Sequence, residues 1–95
     1  MHHFQDIQDC PDIVLKKGEW VTLRYKLLWY GIERTYSEYQ VMPLMMHLKD
    51  YIRTREKDRQ ETHRNRFPQG APPKFSDIWV QITYGDPTRN PYTRS

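Results

Sequence analysis

At 95 residues the chain has room for one hydrophobic core and none for a second domain. A balance of 37% hydrophobic to 28% charged residues, with 14% aromatic, belongs to a folded domain rather than a disordered polymer, and large rings must supply much of its core. No stretch nears the roughly 20 apolar residues that cross a bilayer. The opening residues lack the basic-then-apolar order of a signal peptide, and the single cysteine, Cys10, can form no internal disulfide. These features predict a cytoplasmic, intracellular protein with no membrane partner.

Residues 1–12 carry Asp6, Asp9 and Asp12 and no lysine or arginine, so they read as an extended acidic arm with Phe4 and Ile7 as its apolar anchors. Ile13 to Leu15 is short and apolar, and Lys16-Lys17-Gly18 after it is a turn. Glu19 to Tyr30 then alternates. Val21, Leu23, Tyr25, Leu27 and Trp29 fall on one face, Trp20, Thr22, Arg24, Lys26 and Leu28 on the other, which is the pattern of a long half-buried strand. Gly31 permits a tight reversal, and Ile32 to Met42 continues as the second strand of a hairpin over residues 19–42. Tyr36, Tyr39 and Val41 do not share one parity, which predicts either a bulge in that second strand or a shift between two packed surfaces.

Pro43 suits the first position of a helix, and Leu44, Met45, Leu48, Tyr51 and Ile52 recur at helical spacing, so a helix is expected over 43–65 with those five packed on the sheet. Beyond Ile52 the apolar stripe stops while good helix formers continue, which predicts a helical end projecting into solvent or against a partner. Three prolines and a glycine in residues 67–73 make a loop. Ser76 to Tyr84 alternates again, with Ile78, Val80, Ile82 and Tyr84 on one face and Trp79, Gln81 and Thr83 on the other. The expected architecture is α+β: a small antiparallel sheet in β-β-α-β order with one helix packed on it. The acidic arm (1–12), the core (13–84) and an extended tail (85–95) together form a single domain, 1–95.

Catalytic and cofactor signatures are not recognisable. His2, His3, His47 and His63 have no metal-ligand spacing among themselves or with Cys10, and the serines lack nucleophile-elbow glycines. No glycine-rich phosphate loop occurs. Glu33 and Glu38, the candidate carboxylate pair on the second strand, have opposite parity and would point to opposite faces. The expectation is therefore a non-enzymatic protein without a cofactor.

Two features point toward binding. Trp20, Tyr30 and Trp79 fall on the outward parity of their strands; with Arg24 and Arg34 nearby, they form the Trp, Tyr and Arg mixture enriched at interface hot spots. Residues 53–66 hold Arg53, Arg55, Lys57, Arg59, Arg64 and Arg66 against Glu56, Asp58 and Glu61, a local excess equal to the whole chain's +3. The leading expectation is a protein-interaction module, a small subunit of a larger assembly or a small inhibitor or adaptor, touching its partner through Trp20, Tyr30, Trp79, Arg55 and Arg59. The alternative is a small nucleic-acid-binding regulator that sets those six basic side chains of 53–66 against phosphates.

Overall fold

A computed structural model describes residues 1–29, 31–66, 69–70 and 72–85. Tyr30, Phe67, the side chain of Trp29 and residues 86–95 of the expected tail lie outside the described residues. In chain order the elements are β1 (His2–Phe4), a 3-10 turn (Ile7–Asp9), β2 (Val14–Leu15), β3 (Glu19–Trp29), β4 (Ile32–Val41), β5 (Met46–His47), α1 (Leu48–Arg66) and β6 (Lys74–Tyr84). An antiparallel sheet in the order β1-β6-β3-β4 carries the fold, which is α+β with the expected strand-strand-helix-strand core.

β3, like β6, is an inner strand paired along both of its edges. Its pairing with β4 runs without a break from Trp20↔Val41 to Trp29↔Ile32, and Gly31, at φ +74°, sits in the reversal between them. Val21, Leu23, Tyr25 and Leu27 point inward from β3, joined by Phe75, Ile78 and Val80 from β6 and Phe4 from β1, and all are buried. α1 closes this side with Leu48, Tyr51 and Ile52, spaced so that one turn faces the sheet. Each of these aliphatic side chains contributes about 1.5–3 kcal/mol by leaving water.

Of the two expectations for the second strand, the bulge is not found there. β4 is regular, and the irregularity falls between β3 and β6, at Arg24/Lys26, where Asp77 adopts φ +47°. The extra residue lets Phe75 and Ile78, three apart, both face inward. Tyr36 and Tyr39 differ in parity simply because they belong to opposite faces: Tyr36 pairs with Tyr25 and Tyr39 with Thr22. β6 is also longer than expected at its start, and Tyr84, read as inward-facing, is 79% exposed at the strand's end, beyond the helix.

The helix begins at Leu48, not at residue 43, and Leu44 and Met45 are each 72% exposed instead of packed on the sheet. Met46 and His47 pair with Leu15 and Val14 as a two-stranded ladder, and the Leu48 N–H donates to the Ile13 carbonyl at 2.9 Å. That ladder satisfies the backbone groups a first helical turn would have used, leaving Leu44 and Met45 in the preceding bend. The acidic arm is likewise partly structured. His2–Phe4 adds a fourth strand beside β6, and Phe4 fills the core.

Past Ile52 the helix does not leave the sheet. Its contact changes from apolar to polar: Glu56 accepts from the Phe75 N–H at 2.9 Å, Gln60 donates to the Pro73 carbonyl at 3.0 Å, and Arg59 reaches the inner faces of β3 and β4. A stripe that ends in hydropathy therefore continues as hydrogen bonds.

Candidate functional site

The strand alternation that buries Val21, Leu23 and Tyr25 also assembles the opposite face. Among the described residues no helix or second sheet covers that outer face. Register places Trp20 and Tyr39 diagonally across β3 and β4, with ring centroids 5.7 Å apart. Arg24 lies opposite Trp79, and the indole is held between the Arg24 guanidinium, 4.9 Å from its centroid, and the His3 ring, stacked at 4.6 Å. Lys26 and His3 both approach Asp77, at 3.5 Å and 3.7 Å. Between the two aromatic clusters lie Thr22 and Gln81. A shallow concavity of about 340 Å³ is lined by Thr22, Arg24, Ser37, Trp79 and Gln81 with Met1 at its rim.

Trp20 and Trp79 are half-buried, held by their neighbours; Tyr39 is 51% exposed. Rings immobilised in this way lose little entropy on meeting a partner, and each couples a large apolar face to a polar edge. Tyr30, the third aromatic expected here, lies outside the described residues.

Arg55 and Arg59 do not join this surface, because the helix packs on the other side of the sheet. Arg59 Nε donates to Tyr25 Oη at 2.9 Å and its Nη2 to Glu38 Oε1 at 3.3 Å, with the guanidinium 4.6 Å from the Tyr36 ring centroid. Tyr25 in turn donates to Glu38 Oε2 at 3.1 Å. Burial pushes the Tyr25 hydroxyl well above the ordinary phenol range, and the Glu38 carboxylate adds to this while Arg59 offsets part of it. Burial pulls the other way on Arg59, but Tyr25 and Glu38 outweigh it and hold the guanidinium charged. Arg55 pairs with Asp58 at 3.4 Å and lies over Tyr51 at 5.7 Å. Two atoms there, Tyr51 Oη and Arg55 Nε, are buried with no hydrogen-bond partner among the described residues.

The six basic residues of 53–66 divide between two faces of the helix. Arg53, Lys57 and Arg64, spaced by four and seven, share the solvent side; Arg55, Arg59 and Arg66 turn toward the sheet side. On the solvent side Arg53 is within 4.0 Å of Asp50, and Glu61 lies in the same stripe. His63, Arg64 and Arg66 occupy the last turn, where cations complement the helix dipole.

Glu33 and Glu38 do point to opposite faces, opposite Leu28 and Leu23 respectively. Cys10 is buried, and burial raises its thiol pKa, with Lys49 offsetting part of the shift. Among the described residues no three His, Cys, Asp or Glu side chains gather as metal ligands, and no helix is long and apolar enough to cross a membrane.

Reading along the strands identified Trp20 and Trp79, but it missed Tyr39, His3 and the Arg24–Trp79 contact. Those depend on which strands become neighbours, a fact absent from any single segment. No family model, curated protein or solved structure matches this chain.

Proposed function

We propose that this protein is a non-enzymatic interaction module, a small subunit of a larger assembly or a small inhibitor or adaptor, that docks on another protein through the outer face of its sheet. The observation that carries this reading is a surface, uncovered among the described residues, that holds Trp20, Tyr39, Trp79 and Arg24 on rigid, paired strands. Trp, Tyr and Arg dominate interface hot spots because each buries much area at small entropic cost while keeping a hydrogen-bonding end. The two ring clusters are separated along β3 by four residues, roughly 13 Å, a span that suits a strand or a helix laid across the sheet. Arg55 and Arg59 leave the proposed contact set, since both are engaged beneath the helix.

The nucleic-acid alternative has less support. A phosphate-binding stripe requires cations that converge without interleaved acids, and residues 53–66 send half of theirs toward the sheet. Salt separates the two readings. The tagged full chain, used as bait in a lysate of the organism that encodes it, should retain a discrete partner protein at both low and high salt. Binding that collapses log-linearly with salt and brings nucleic acid into the eluate would favour the alternative instead.

A further inference from the structure

Among the described residues β4 has an open side. Among the described residues it pairs with β3 along one edge and with no strand along the other. The Met42 N–H donates to the Glu19 carbonyl at 2.8 Å, and the ladder from Val41 to Ile32 contains no register shift. Antiparallel bonding alternates, so the main-chain groups of Ile32, Arg34, Tyr36, Glu38 and Gln40 face β3, and those of Glu33, Thr35, Ser37, Tyr39 and Val41 face the open edge.

Proteins usually blunt so long an edge with a proline, a bulge or an isolated inward charge. β4 has neither proline nor bulge. Its inward charges are Arg34 and Glu38, opposite in sign and equidistant from Tyr36. Two copies paired antiparallel about Tyr36 would place Arg34 of each opposite Glu38 of the other, and Thr35 opposite Ser37. In that register the residues exchanging main-chain bonds are those whose groups already face the edge. Arg34 and Glu38 fall at the non-bonded positions, where facing side chains come closest. Centring the pairing on Arg34 or Glu38 would instead set like charges together, and centring it on Thr35 or Ser37 would separate Arg34 from Glu38.

Each of these side chains is suited to the role. Arg34 is exposed and has no ion-pair partner among the described residues, whereas Glu38 is held in place by Arg59 and Tyr25. Tyr36, at the two-fold axis, is half-buried beneath the Arg59 guanidinium. We propose that the protein forms a homodimer by antiparallel pairing of β4 with β4 of a second copy, centred on Tyr36 and flanked by two Arg34–Glu38 ion pairs. Such an interface is isologous and closes on itself, so it stops at two copies. It uses the edge of the sheet and not its outer face, so it holds or fails independently of docking there.

Sedimentation of the full chain across the micromolar range should give twice the chain mass. Arg34→Glu turns two attractions into repulsions and should weaken the dimer about tenfold or more. Ser37→Pro removes an edge donor while sparing the bonds to β3, and should abolish the dimer. Register is tested by oxidising Thr35→Cys and Ser37→Cys chains, separately and mixed. Efficient cross-linking in the mixture alone is expected, and it decides the matter even if Ser37→Pro does not fold. A monomer throughout, a dimer of unchanged strength in Arg34→Glu, or cross-linking by either cysteine variant alone in preference to the mixture overturns the proposal.

Discussion

On the inner face of the sheet Tyr25 lies against Phe75, with centroids 3.7 Å apart, and beside Tyr36 at 5.8 Å, wholly removed from solvent and hydrogen-bonded to Glu38. On the outer face of the same strands Trp79 lies between His3 and Arg24 and is only half-buried. Both rings are stacked and both touch a polar partner, yet they differ in what covers them. A helix packed on one side turns its rings into core, whereas the rings on the other side stay only half-buried among the described residues. Alternation along a strand thus divides one stretch of chain between holding the fold and presenting a surface.

The sharpest break of this comparison is a truncation on each side. Leu23→Ala should cost about 2–5 kcal/mol by leaving a cavity in the buried cluster it shares with Val80 and Ile52, and Thr22→Ala, its outward neighbour, less than about 0.5 kcal/mol. Urea titrations followed by tryptophan fluorescence measure both. Similar losses at the two positions would mean that the outer face is also structural.

Next in size is Glu38→Ala, which leaves Arg59 and Tyr25 without their shared acceptor at a partly buried site and should destabilise the fold by about 1–3 kcal/mol. The same network predicts a pH dependence. The Tyr25 and Tyr51 hydroxyls are both raised by burial, so the folded state holds their protons more firmly than the unfolded chain does. Their contribution is complete below the ordinary phenol pKa of about 10 and is lost as pH climbs above it. Unfolding free energy measured between neutral and strongly alkaline pH should therefore fall above about pH 10, and replacing both tyrosines by phenylalanine should flatten that decline.

The smallest effect separates the two tyrosines. Tyr25→Phe forfeits two hydrogen bonds and should cost about 1 kcal/mol, whereas Tyr51→Phe removes a buried hydroxyl with no partner among the described residues and should be neutral or stabilising by up to about 1 kcal/mol. Thermal unfolding of the two single variants gives the comparison directly.

Much of this was legible along the chain, and what was not shares one cause. The alternation of β3 and β6 placed Trp20 and Trp79 on the outer face, and the spacing of Leu48, Tyr51 and Ile52 placed the helix on the inner one. Local pattern reports a residue's parity but not its neighbours across the ladder. For that reason the Arg24–Trp79 contact, the Arg59–Glu38 pair 21 residues apart and the position of the bulge were out of reach. Leu44 and Met45 fit a helical stripe as well as Leu48 does. They were displaced by two short strands, Val14–Leu15 and Met46–His47, whose pairing took the backbone groups a helix would have needed. His3 entered the site because an arm that read as extended found an open strand edge beside β6.

The most direct test of the division between the two faces combines binding and stability in one variant. Chains carrying Trp20→Ala and Trp79→Ala together should unfold within about 2 kcal/mol of the unaltered protein while no longer retaining the partner protein that the unaltered chain holds at high salt. Retention of that partner by the double variant, or collapse of its fold, would contradict the account.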